Sequence, residues 1–485
     1  MQMKLAIAAA TIRSQGSLYE REEGVIESVG IDSRAVSPGH LFICIKGDRF
    51  DGHDFMQTAA KQGAIAIVAE RVPEALKNLD ELRGPDGDRV PVLLVDSSVH
   101  ALGRLGYYHR NMADSKVVGI TGTAGKTTVK ELLAQVLSVK DPTARNPINK
   151  NNQLGLPLSM LASSGQEDFW VMEAGISQPG DMDDLGAILA PDLAIILNVG
   201  AGHVAGLGDR GVAHYKARFL AHLAKGGTGL INADYPELVR KARLVCHDLV
   251  IFSAAGHDAP YRAGYLGPDS TGNRGRYRLW LDGESLEVEA PFRGTVGAEN
   301  TIAVAAAAHL LGLKGSEIAA GLAGACLPEQ RFAISNTGKW TLIDDTYNAN
   351  PLSVERMLHS AADLAAGRNL VLVMGEMGEL GELASEAHQA LGKKMALCRP
   401  KAIFWKGGFA DEIKDGLASE DWRGHFVALG EGAQAKSEFC EQIERLKLLE
   451  AVVFFKGSRL NRLEEFVGAL REQLTSSQGG ESHAV

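Results

Sequence analysis

The stretch KVVGITGTAGKTTVKELLAQVL, residues 116–137, leaves this chain few ways to fold. The apolar run KVVGIT reads as a buried strand. Glycines interrupt it at 122 and 125. Beyond them Val129, Leu132, Leu133, Val136 and Leu137 recur at the spacing of one helical face. Strand, glycine loop and helix in this order make a phosphate cradle. The glycines let backbone N–H groups approach phosphate oxygens, and the helix N-terminus adds positive potential. Gly122, Thr123, Ala124, Gly125, Lys126, Thr127 and Thr128 are the expected contacts to ATP. Lys126 is placed to reach the β- and γ-phosphates, and Thr127 to hold Mg²⁺. The common form G-x-x-x-x-G-K-[ST] needs a glycine at position 120, where this chain has Ile120, so Gly122 takes the glycine role in a variant loop. A chance Gly-Lys-Thr turn would not carry a matching strand and helix on its two sides.

Around this unit the pattern is α/β throughout. A length of 485 residues suits roughly three domains of about 150 residues. Residues 1–97 form a first, small α/β block with strands in LFICIKG, GAIAIVAE and VPVLLVD. Residues 98–327 form a central block, opened by a helix around Val99–Asn111 and holding the phosphate loop. Two further apolar strands, DFWVMEAG and DLAIILNVG, end in polar residues at the edge where open α/β sheets bind ligands. Residues 257–295 alternate, as in YRLWL and LEVEAPF, and predict antiparallel strands. Residues 328–485 form a Rossmann-like block with strands WTLIDD, NLVLVMG, KAIFWKGG and AVVFFKG.

Composition narrows the function. The formal charge of −10 argues against a nucleic-acid binder, which needs a basic face. The five cysteines form no C-x-x-C pair, which argues against a zinc site or disulfide framework and fits a reducing compartment. No run approaches the ~20 apolar residues of a membrane span, and the first residues lack a signal-peptide pattern. A cytoplasmic monomer acting on small molecules is expected.

Three further features carry chemistry, each with a plain structural alternative. Glu173 ends its strand and suits Mg²⁺, directly or through water, or is a solvated loop acid. His203, in NVGAGH, is a ligand or a structural histidine. Asp344 and Asp345, before TYNANP, suit a ribose or a metal, or an ordinary polar turn. The glycines 375, 378 and 381 invite a dinucleotide reading. Their spacing is wrong for it, and Glu376 and Glu379 among them would repel phosphate.

Taken together, these motifs resemble the Mur ligase family, which builds peptidoglycan precursors. The similarity runs along nearly the whole chain: DSRAVSPGHLFICIKGDRFDGHDF, then GITGTAGKTTVKELL, NKNNQLGLPLSML, MEAGISQPGDM and NVGAGHVAGLG, then RFAI, LIDDTYNANPLSV, VMGEMGELG and FFKGSR. The runs DDTYNANP and MGELG look most like the member that adds D-alanyl-D-alanine to UDP-N-acetylmuramoyl-tripeptide (UDP-MurNAc-tripeptide). The alternatives are a sister ligase adding a diamino acid and a catalytically impaired, nucleotide-binding regulator. The resemblance implies an N-terminal UDP-binding domain, a central ATPase-like domain and a C-terminal Rossmann-like domain. It implies ATP and Mg²⁺, an acyl-phosphate intermediate, and catalytic roles for Lys126, Glu173, His203 and Lys216. Thr127, Glu173, His203 and a carbamylated Lys216 would form the metal site. Arg331, Asp345 and Asn300 would meet the nucleotide, and Ser33, Arg34, Asn149, Asn151 and Asn152 the UDP-substrate. The chain departs from the family at several places. Ala217 and Arg218 stand where Gly-Glu is usual, and Ala205 where Glu is common. In GAENTIAVAAA, Glu299 replaces a histidine and Ala303 an asparagine expected to face the adenine.

Overall fold

The computed structural model describes residues 2–12, 16–17, 24–76, 82–200 and 210–480. Three large sheets organise them, each flanked by helices, in the expected α/β architecture. The N-terminal sheet has five strands, ordered Gly16–Ser17, Val92–Leu94, Ala64–Ala69, His40–Ile43, Ser28–Gly30, and is parallel except for its first pair. Strand neighbours point to opposite faces. Leu41, Ile43, Ala66 and Val68 therefore pack with Leu102 and Leu105 of helix Ser98–Met112. Phe42, Ile67 and Ala69 face helix Met56–Lys61 on the other side.

The central sheet has nine strands. The phosphate-loop strand Lys116–Thr121 lies between Leu193–Ile196 and Phe169–Glu173, parallel to both. Chain order reverses direction at this strand, which opens a crevice at its C-terminal end. The five apolar positions read as one face of helix Lys126–Leu137 are all buried against the sheet and helix Gly294–Leu310. That second helix is alanine-rich and buried along most of its length, packed against both the sheet and the phosphate-loop helix. The alternating segment forms three antiparallel strands, Tyr261–Pro268, Gly275–Leu281 and Glu284–Ala290, as its pattern predicts. Tyr277, Leu279 and Leu281 turn inward while Arg276 and Arg278 face out.

The C-terminal sheet is ordered Ala333–Thr337, Trp340–Asp345, Ala451–Lys456, Leu370–Gly375, Ala402–Lys406, His425–Leu429. The four apolar runs read from sequence form its interior. Its two edge strands escaped that reading because both are only half-buried, and edge strands carry a weak apolar signal. Gly375 closes the dinucleotide question: a Cβ there would collide with the Asn461 side chain, so the glycine serves packing. Glu376 turns its carboxylate onto the Gly408 N–H at 2.7 Å. Among the described residues no helix is long and apolar enough to cross a membrane.

Candidate active site

The crevice beside strand Lys116–Thr121 holds the phosphate loop. Gly125 caps helix Lys126–Leu137 with φ 82°, a left-handed conformation that favours glycine. A Cβ there would also lie 2.9 Å from Asn300 Oδ1. Asn198, just beyond strand Leu193–Ile196, fastens the front of the loop. Its Oδ1 accepts from the N–H groups of Thr123 at 3.0 Å and Ala124 at 2.8 Å. Its Nδ2 donates to Ala124 O at 3.1 Å and Glu299 Oε1 at 3.0 Å. The first-turn N–H groups of the following helix, which have no intrahelical acceptor, are left for a ligand.

Two lysines converge on one carbonyl. Lys126 Nζ and Lys216 Nζ each donate to Gly122 O at 3.0 Å. Lys216, on helix Val212–Ala217, is only 2% exposed. Burial, and then the charge of Lys126, push its pKa well below the usual lysine range. The result is an amine that is readily neutral. Burial also pulls Lys126 down, with Glu173 acting the other way.

Glu173 sits beside them. Its Oε2 accepts from the Thr127 hydroxyl at 2.8 Å and its Oε1 from the Asn151 amide at 2.8 Å. Asn146 pins its backbone, accepting from the Glu173 N–H at 2.9 Å and donating to its carbonyl at 3.1 Å. Burial opposes ionisation of Glu173. Lys126 and the hydrogen bonds from Thr127 and Asn151 outweigh it and hold the carboxyl below its ordinary range.

The C-terminal unit supplies the opposite wall. Arg331 stacks 3.8 Å over the Tyr347 ring and reaches Thr127 Oγ1 at 3.3 Å. Asp345 is paired with buried Lys456 at 2.6 Å and accepts from the Phe332 N–H at 3.2 Å. Asp344, its neighbour on the strand, turns away into a separate groove beside Arg471, so the two acids do not form a pair. Tyr347 donates to Asn149, and Asn350 Nδ2 to Thr123 O at 3.3 Å. Between the two units lies a cleft of about 360 Å³.

Most of the residues expected at the site meet in this cleft. Thr123 to Thr128, Glu173, Asn149, Asn151, Asn152, Asn300, Arg331 and Asp345 all line it, with Gly122 and Lys216 directly behind the loop. Asn300 Oδ1 is buried there with no protein partner. Ser33 and Arg34 do not reach the cleft. Arg34 is clasped to Asp32 at 2.7 and 2.9 Å on the surface of the N-terminal unit. His203 and Ala205 lie outside the described residues.

The departures also acquire surroundings. Arg218 pairs with Asp183 at 2.7 Å, and His222 joins it at 2.8 Å, so this arginine ties two helices together. Ala303 is in the hydrophobic core, not on the cleft wall. Glu299 is buried and bound to Arg356 at 2.6 Å. Sequence reading assigned no role to Asn146, Asn198, Arg356 and Lys456 individually. For Asn198 and Lys456 a signal existed: each is a polar residue at the C-terminal end of an apolar strand run, LAIILN and AVVFFK. Asn146 lies in the polar loop TARNPINKNNQLG, whose composition suits a ligand contact, and nothing local marks Arg356.

Among the described residues no three His, Cys, Asp or Glu cluster as a metal site. The adjacent Thr127 hydroxyl and ionised Glu173 carboxylate are hard oxygen donors. Such a partial set suits Mg²⁺, which keeps waters and takes substrate phosphates as further ligands.

Comparison with known proteins agrees with this geometry. Residues 25–108 match the Mur ligase family catalytic domain, 120–308 the Mur ligase middle domain, and 330–459 the Mur ligase glutamate ligase domain. The UDP-N-acetylmuramoyl-tripeptide–D-alanyl-D-alanine ligase of Escherichia coli is 30% identical over 459 residues, 93% of this chain and 95% of the relative. A crystal structure of MurF from Acinetobacter baumannii superposes with a TM-score of 0.85 at 27% identity, covering 97% of this chain and 99% of that one. MurF from Thermotoga maritima in complex with ADP gives 0.79 at 25% identity, covering 93% and 99%. With all three units matched in order, the chain belongs to the Mur ligase family.

Proposed function

We propose that this chain joins D-alanyl-D-alanine to UDP-MurNAc-tripeptide with ATP, a step of peptidoglycan precursor synthesis, and that it works as a cytoplasmic monomer. The observation that carries this reading is the convergence of Lys126, Lys216, Thr127 and Glu173 on one end of a cleft walled by two units. The terminal carboxylate of the tripeptide attacks the γ-phosphorus and ADP leaves, giving an acyl phosphate. The dipeptide amine then attacks the acyl carbon. The C–O bond to phosphate breaks, inorganic phosphate departs, and the nitrogen loses a proton as the amide forms.

Each residue has a part in this scheme. Lys126 moves from the Gly122 carbonyl to the β- and γ-phosphates, where its charge offsets what develops during transfer. Arg331 adds a second positive charge from the opposite wall. Thr127 and Glu173 would hold Mg²⁺, with His203 and a carbamylated Lys216 completing the set. Bound there, the ion would neutralise phosphate charge. Asn300 and Asp345 flank the nucleoside. Asn149, Asn151 and Asn152 line the path to the UDP-substrate, whose uridine end goes to the N-terminal unit with Ser33 and Arg34.

Hydroxylamine tests the intermediate. With ATP, Mg²⁺ and UDP-MurNAc-tripeptide but no dipeptide, it should trap the acyl phosphate as a peptidyl hydroxamate. The product should depend on ATP. Amide synthesis with D-alanyl-D-alanine but no hydroxamate would remove the acyl phosphate from the scheme.

A further inference from the structure

Glu299 is a buried acid on helix Gly294–Leu310, with its partners drawn from three directions. Arg356, from helix Pro351–Ala365 of the C-terminal unit, meets its Oε2 at 2.6 Å. Asn198 donates to its Oε1 at 3.0 Å, and Tyr235 lies 3.5 Å from Oε2. Asn198 is also the residue that grips the Thr123 and Ala124 N–H groups of the phosphate loop. A continuous run of polar contacts thus leads from the C-terminal unit to the loop: Arg356, Glu299, Asn198, loop backbone. Helix Pro351–Ala365 touches the same loop a second time, through its cap Asn350 on Thr123 O. Arg356 itself lines the cleft, and so does Asn300, one residue beyond Glu299.

We propose that Glu299 is a positioning residue that ties the seating of the C-terminal unit to the shape of the phosphate loop. A buried carboxylate stripped of its cation is costly. Among the described residues, withdrawal of the C-terminal unit would leave Glu299 the neutral donors Asn198 and Tyr235. The loop geometry that Asn198 enforces is therefore cheapest when Arg356 is in place. By linkage, a nucleotide that favours that loop geometry also favours the seated C-terminal unit. The inference rests on the proposed function only in assigning the loop to ATP.

Calorimetry of the full chain with ADP and Mg²⁺ provides the test. Arg356→Met should weaken ADP binding by about 5–150-fold, the usual size of coupling between sites. Affinity for UDP-MurNAc-tripeptide without nucleotide should stay within about twofold. Arg356→Lys, which restores a cation, should recover most of the ADP affinity. Adding Glu299→Gln to Arg356→Met should cost little more, since the pair is already broken. Unchanged ADP affinity in a folded Arg356→Met protein would overturn the proposal. So would an equal loss of ADP and UDP-substrate affinity, which would mark the pair as merely structural. If the methionine variant does not fold, Arg356→Lys and Glu299→Gln decide: ADP affinity unchanged in Glu299→Gln overturns it, and a selective loss there that Arg356→Lys does not share supports it. ADP binding needs no amide bond to form, so a failure of ligase activity would strike the functional reading and leave this test intact.

Discussion

Lys126→Ala should lower turnover by about 10²–10³-fold or more, the loss seen when a preorganised charge at a transition state is removed. Affinity for the UDP-substrate should stay within about twofold. The split follows from geometry. Lys126 donates to the Gly122 carbonyl across the mouth of the loop, where phosphate would sit, and faces Glu173 and Arg331. These partners belong to the central and C-terminal units. Steady-state kinetics together with direct binding of UDP-MurNAc-tripeptide separate the two effects. Equal loss of both would make the loop a structural element.

Lys216→Ala should cost about 10²-fold in activity, near the upper end for residues that complete or orient a metal site. Short-chain carboxylates such as formate or acetate should restore part of it. Lys216 Nζ is buried behind the loop, and burial and Lys126 together favour its neutral amine. A neutral amine adds to CO₂: the nitrogen forms a bond to carbon, releases a proton and becomes a carbamate. Its charge is reversed, and it gains oxygen donors of the kind Mg²⁺ accepts. An added carboxylate can fill the space left by alanine and supply similar oxygens. The unsubstituted protein exchanged with ¹³C-bicarbonate should show a carbamate carbon resonance that Lys216→Ala lacks. Full activity in Lys216→Ala without any carboxylate would dispose of the carbamate.

The phosphate loop was legible because its chemistry is local. Glycines, lysine and threonine lie within one turn of chain, between a strand and a helix whose apolar spacing is unambiguous. Glu173 was legible as a polar residue closing a buried strand. Arg331 and Asn300 needed the family resemblance, since each lies far along the chain from the loop it faces, while Asp345 was open between a ligand contact and a polar turn until its strand was placed beside the cleft. Asn198 was overlooked in favour of His203, five residues on. A buried asparagine that holds backbone N–H groups looks in sequence like any polar strand end. The Glu299–Arg356 pair shows the opposite limit. Glu299 read only as a replaced histidine because its partner, Arg356 on another unit, leaves no local trace. Edge strands such as His425–Leu429 were missed for the same kind of reason: half of each faces solvent, so their composition is mixed.

The most direct measurement follows inorganic phosphate and product mass together in one mixture of protein, ATP, Mg²⁺ and UDP-MurNAc-tripeptide, with either D-alanyl-D-alanine or a diamino acid as the amine. With the dipeptide, phosphate should appear in step with a UDP-linked pentapeptide, and with the diamino acid neither should form. Product from the diamino acid instead, or tight ATP binding with no phosphate from either mixture, would contradict the assignment.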